Sequence, residues 1–181
     1  IGNVVGGSWK GIGYLRILPP SVANPNTAAQ AAQRSRLSNC VEIAKSILTT
    51  IIKPLNDRFA AQMSGYNRFV SMNIDLFDAL VPSTPADLRI SEGSLLVAAG
   101  AGASGVAAQA DVDVSWTDNS GIGNALATDD AYCVVLNATT GDVGVSSAVD
   151  TRTDGSTTVT MPNDLTSADV IYTWLAFRSA N

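Results

Sequence analysis

Apolar and polar residues alternate strictly along Asp111-Val112-Asp113-Val114-Ser115-Trp116, and a period of two marks a strand with one buried face. Val112, Val114 and Trp116 are expected to point inward and the two aspartates outward. The period of two begins at Asp87: Leu88 and Ile90 predict a short strand, and Leu95 to Ala99 another. Gly100 to Gly105 reads as a flexible turn. Beyond the glycine-bearing loop Asp118 to Asp129 come Ala131 to Leu136, a turn at Asn137 to Gly141, and Val143 to Val149. A second turn, Thr151 to Gly155, leads into Ser156 to Met161. The last strand, Val170 to Phe177, is apolar on both faces, so it is expected to be central or covered on both sides. About seven short strands at near-regular spacing, with a tryptophan on a middle one, predict an immunoglobulin-like or fibronectin-III-like β-sandwich over residues 86–181.

Upstream the period is helical. Leu37, Cys40, Val41, Ala44, Ile47, Leu48 and Ile51 fall on one face, and Arg34, Arg36, Asn39, Glu42, Lys45 and Ser46 on the other. Thr27 is placed to cap this helix, with Gln30 as the reciprocal partner of a capping box. The β-branched run Thr49-Thr50-Ile51-Ile52 weakens it, and Pro54 is expected to end or kink it. A shorter helical piece, Leu55 to Gln62, follows. Ser64-Gly65 then opens another helix, with Tyr66, Phe69, Val70, Asn73, Ile74, Phe77, Leu80 and Val81 on one face. Residues 21–82 therefore read as two to three amphipathic helices, closed off by Pro82 and Pro85.

The first twenty residues, IGNVVGGSWKGIGYLRILPP, fit neither pattern. They hold β-forming residues, with too many glycines for a hairpin that stands alone. Such a segment needs a sheet edge to lie on, in its own chain or in a neighbour. Residues 1–20 are thus a candidate assembly strand, with Val4, Val5, Trp9, Ile12, Tyr14, Ile17 and Leu18 at its interface. The bland alternative is that Ile1 to Leu18 folds back on its own sandwich as a first hairpin.

Composition narrows the chemistry. No histidine is present, which removes the commonest general base and metal ligand together. Cys40 and Cys133 sit among apolar neighbours, which favours two buried free thiols over a bridge. Residues 1–80 hold eight Lys/Arg against four acids, and residues 81–181 hold three Arg against twelve acids. The basic charges are scattered and lack aromatic interleaving, so no nucleic acid is expected as a partner. Complementary ends that attract head to tail, or simply two solvated faces, explain the asymmetry as well. No apolar run is long enough to span a membrane. Asp111, Asp113, Asp118, Asp129 and Asp130 could ring a Ca²⁺ at a sandwich end, but outward acids on a strand are ordinarily solubilising. No catalytic group, cofactor site or metal site is expected. Asn137-Ala138-Thr139 is a formal glycosylation sequon.

The opening G-N-V-V-G-G-S-W-K-G-I, then Tyr14, Arg16 and Pro19-Pro20, then N-P-x-T-x-A-Q-x-x-Q-R from Asn24 to Arg34, resembles a known family. It is similar to DUF6266, an uncharacterised domain family met mainly in Bacteroidetes bacteria and some of their phages. Trp116-Thr117-Asp118-Asn119, Asp130-Ala131 and Ala176-Phe177 resemble its C-terminal part. The resemblance supplies no activity and no catalytic residue. It implies a further glycine-rich segment before Ile1, often ending in Gly-Lys, so Ile1 is a candidate processed N-terminus.

The expected fold class is α+β: an N-terminal β segment and two to three helices followed by the sandwich. The expected function is that of a non-enzymatic structural subunit. It would assemble with itself, as a homo-polymer, into an extracellular or cell-surface filament by β-strand addition between subunits. The alternatives are a virion structural protein, or a surface module that binds glycan or protein through the loops Asp118 to Asp129, Asn137 to Gly141 and Thr151 to Gly155.

Overall fold

The computed structural model describes residues 3–9, 11–17, 21 and 26–179. It contains N-terminal strands, helices and C-terminal sheets, and it divides into two compact units, Ile1–Ala31 and Ala32–Asn181.

In the first unit, β1 (Val4–Trp9) and β2 (Ile12–Ile17) pair antiparallel with Trp9 opposite Ile12 and Val4 opposite Ile17. Gly11, at φ +84°, occupies the turn, a conformation that costs glycine little and other residues more. The capping box forms as its residues predict. Gln30 N–H donates to Thr27 Oγ1 and Thr27 N–H donates to Gln30 Oε1, each at 3.3 Å, and helix α1 (Ala28–Ser46) begins there.

In the second unit the helical stripe meets proline. Pro54 has no N–H to offer the carbonyl four residues back, and its ring crowds that carbonyl. The chain passes this point through a π-helical turn, Leu48–Ile52, in which Ile52 N–H reaches the Ile47 carbonyl at 3.0 Å. The wider turn brings Ile51 and Ile52 both into the core. Short helix α2 (Lys53–Asn56) and helix α3 (Gly65–Asn73) follow, the latter capped by Ser64, whose Oγ accepts from Asn67 N–H.

The segment 88–98 departs from the sequence pattern. Leu88 and Ile90 are buried, as apolar alternation suggests, yet neither they nor Leu95 to Val97 lie in a strand. Side-chain amides take the place of a partner strand. Asn73 accepts from Arg89 N–H and donates to its carbonyl, while Asn56 donates to the Ile90 carbonyl. The strand comes later, as β3 (Ala99–Gly105), across the Gly100 to Gly105 stretch that reads as a flexible turn. Its small side chains carry no periodic signal; pairing to the next strand holds it straight, with one register shift between Ala99 and Gly102.

The remaining strands are β4 (Asp111–Thr117), β5 (Asp130–Asn137), β6 (Val143–Thr151), β7 (Ser156–Thr160) and β8 (Ile171–Arg178). They form two antiparallel three-stranded sheets, in the orders β3-β4-β7 and β6-β5-β8. Along β4, Val112, Val114 and Trp116 are buried and the polar residues are exposed, as alternation requires. Two cores flank the sheet β6-β5-β8. On one face Tyr132, Val134 and Leu136 pack with Ile43, Ile47, Ile51, Phe69 and Phe77 of the helical region. On the other, Cys133 and Val135 pack with Val112, Val114, Val159 and Leu165. The helices and sheets therefore share their interior, and β5, covered on both faces and paired on both edges, is the buried centre.

Candidate functional site

The β1–β2 ribbon carries the residues that the sequence singles out. Alternation divides them between two faces. Val4, Leu15 and Ile17 share one face, and Val5, Ile12, Tyr14 and Arg16 share the other. Relative exposure is 51% for Val4, 70% for Ile12, 48% for Tyr14, 77% for Leu15 and 76% for Ile17; Val5 is half-buried. Trp9 is the last paired residue of β1, and Leu18 lies outside the described residues. The proposed interface is thus two apolar faces back to back. Leu15, not among the residues chosen from the sequence, joins Val4 and Ile17; its period-two spacing from Ile17 would have found it.

The glycines of β1 make room for β2. Tyr14 lies across Gly7, where an added Cβ would come 2.8 Å from the ring, and Leu15 lies across Gly6 at 3.5 Å. Large side chains on one strand thereby cover bare backbone on the other, which explains how so glycine-rich a strand keeps its register.

The sheet β6-β5-β8 ends in an open edge. No strand among the described residues pairs with β8 on the side away from β5. Its faces are covered, which is one of the two arrangements its continuous apolar sequence allows, but seven of its eight residues are only half-buried. Two hollows flank that edge. Ile171 and Thr173 border one of about 300 Å³, walled by Ala103 to Ala107 of the β3 end with Val112 and Leu165. Leu175 and Phe177 border another of about 650 Å³, together with Leu55, Phe59, Arg89 and Leu96.

Four of the five aspartates considered for Ca²⁺, Asp111, Asp113, Asp118 and Asp129, have other partners. Asp111 and Asp113 accept hydrogen bonds from Thr160 and Thr158 across β7. Asp118 accepts from Ser120 N–H within its loop. Asp129 is fully buried against Arg152, whose Nε lies 3.1 Å from Oδ2. Arg152 also donates to Asn119 Oδ1 at 2.6 Å and to the Leu96 carbonyl at 3.0 Å. Arg152 lies in Thr151 to Gly155, one of the loops expected to bind a ligand, but its fully buried position makes it the tie between three loops. Among the described residues no three acids or thiols gather as a metal site would need. Cys40 and Cys133 are both free and buried. Asn137, the sequon asparagine, is buried in the folded chain, and its Oδ1 accepts from Thr139 and Thr140 N–H.

These features define a mixed helix-and-sheet protein with an exposed apolar β-ribbon and a sheet edge, that of β8, which no strand among the described residues pairs. Over residues 1–181 the chain matches a family of unknown function, DUF6266, and it belongs to that family. No curated protein and no solved structure matches it. No helix among the described residues is long and apolar enough to cross a membrane.

Proposed function

We propose that this chain is a non-enzymatic structural subunit that assembles with itself by β-strand addition, forming a filament outside the cell. The observation that carries the reading is the ribbon: Ile12, Leu15 and Ile17 are each at least 70% exposed on a two-stranded element that is marginal by itself. Exposed apolar patches of this kind mark contact surfaces, and the backbone of an edge strand supplies the hydrogen bonds for pairing. The contact is heterologous, so repeated use gives an open polymer unless the rotation closes a ring. The same contact would serve a virion component.

The frame we infer for the second unit is an immunoglobulin-like or fibronectin-III-like sandwich. Two facing antiparallel sheets and the buried Trp116 on an inner strand support it.

A surface module that binds glycan or protein is the second reading. The hollow of about 650 Å³ bordered by Arg58, Phe59 and Arg89 favours it.

Negative-stain microscopy with sizing chromatography tests the first reading, on the full chain and on a chain carrying Leu15→Glu with Ile17→Glu. Fibres or rings from the first and folded monomers from the second are the expected outcome. Monomers from both, at high concentration and low salt, would overturn it and leave the binding module.

A further inference from the structure

We propose that the acceptor for this strand addition is the outer edge of β8, filled by β2 of a second copy of the chain; the inference rests on the self-assembly reading above. Ala138 N–H donates to the Val170 carbonyl at 2.8 Å, and Asn137 N–H donates to the opposite side, to Asp142. These two bonds fix the phase of the β5–β8 ladder. In antiparallel pairing successive residues turn their backbone groups to alternate sides. Tyr172, Trp174 and Ala176, opposite Leu136, Val134 and Tyr132, therefore bond to β5. Ile171, Thr173, Leu175 and Phe177 turn their N–H and C=O groups outward, and among the described residues these groups meet no partner.

All four residues with outward backbone groups border the two hollows, and Ala176 and Arg178 of β8 line the larger one as well. A strand laid along β8 would thus find an unsatisfied hydrogen-bonding row and, beside it, space for alternate side chains. That is the arrangement strand addition requires, with the backbone giving affinity and the hollows giving register. In the sandwich frame inferred above it is also the position that a seventh strand takes.

Strand β2 fits this position on three counts. Its six residues cover most of the eight of β8. Its period of two presents Leu15 and Ile17 to one side, to face a hollow whose apolar lining includes Val106, Val112, Leu165 and Ile171. Its charge is complementary at the smaller hollow: residues 1–31 contain Lys10 and Arg16 and no acid, and the one charged residue lining that hollow is Asp169. The larger hollow carries Arg58, Arg89 and Arg178 against Glu92, so Arg16 belongs at the Asp169 end. Joining by the outer edge of β2 leaves the β1–β2 pairing intact, so the ribbon need not open. The product is a five-stranded sheet, three strands from one copy and two from the next.

Amide hydrogen exchange on the full chain, dilute and assembled, reads the inference directly. The amides of Ile171, Thr173, Leu175 and Phe177 are expected to slow by about tenfold or more on assembly, as newly bonded edge groups do. Unchanged exchange at these amides in the polymer would overturn the inference. So would protection already complete in the dilute monomer, which would mean that the edge is filled within one chain. The variant Thr173→Pro gives an independent arm. Proline there removes an outward N–H and no bond to β5, which an edge strand tolerates. The variant is expected to show native circular dichroism and to cap wild-type polymer, shortening it. If it polymerises like wild type, the acceptor lies elsewhere and self-assembly stands. If wild type itself never assembles, the proposed function falls and this inference with it.

Discussion

The guanidinium carbon of Arg152 lies 3.9 Å from the centroid of the Phe177 ring, and that ring meets Trp116 edge to face at 5.6 Å. Trp116 in turn donates from its indole N–H to the Arg152 carbonyl at 2.7 Å. Arg152 and Asp129 are both fully buried, and Asp129 takes the Arg152 Nε and the Leu126 N–H on one oxygen, Oδ2. Replacing Arg152 with Met should cost about 3–5 kcal/mol, because it strands the Asp129 carboxylate without its counter-charge. Urea unfolding of Arg152→Met, Asp129→Asn and the double variant checks this. The double variant should lose less than the two single losses added together, since each single change already breaks the same contact.

Asn73 is a second buried polar residue on which a long loop depends. Its amide donates to the Phe69 carbonyl at 2.9 Å and to the Arg89 carbonyl at 3.0 Å, and its Oδ1 accepts from Arg89 N–H at 2.9 Å. Asn73→Ala should destabilise the chain by about 1–3 kcal/mol for each backbone group left buried and unpaired. Exchange protection at the Arg89 amide should fall further than at β5 amides.

How much of this could be read from the sequence depends on what each element uses to hold itself. The helix start at Thr27 and Gln30 and the inward set Val112, Val114 and Trp116 are legible because local chemistry decides them. Strand β3 is not, because an Ala/Gly/Ser run has no period and is straight only through its pairing with β4. Leu88 and Ile90 mislead in the opposite sense. Their alternation is real, but the groups that hold them are Asn56 and Asn73, more than fifteen residues away in sequence. The ribbon residues were visible as a group, while their division into two faces required the turn at Gly11 to set the register. The open edge of β8 was invisible: its apolar run indicates covered faces and says nothing of which edge is paired.

Burial raises the Cys40 thiol to about 11. It raises Cys133 to about 12, with the Asp150 charge adding to the effect. A thiol whose folded pKa lies above its unfolded one stabilises the fold in full below the ordinary thiol pKa. That contribution is lost as pH rises through the folded values. Stability should therefore decline between about pH 9 and 12 in part through these thiols, and Cys133→Ala should flatten that limb. Both thiols should resist a disulfide-exchange reagent at pH 8 in the native chain and react once it is unfolded in urea.

The two glycines flanking Ile12 should respond to the same substitution with opposite signs. Gly11 sits at φ +84°, where a side chain strains the backbone by about 1–2 kcal/mol. Gly13 has ordinary backbone, and an added Cβ there would meet nothing within 4 Å. Valine at Gly11 should loosen the turn, so that the ribbon amides exchange faster in the dilute chain. Valine at Gly13 adds a β-branched residue opposite Ser8 and should slow exchange, for a gain of up to about 1 kcal/mol. Both readings come from the monomer and so test the ribbon itself. If assembly uses β2, the critical concentration should move the same way: upward for Gly11→Val, as fewer chains present a formed strand, and downward for Gly13→Val. Opposed shifts in exchange without any shift in critical concentration would show a sound ribbon that takes no part in assembly.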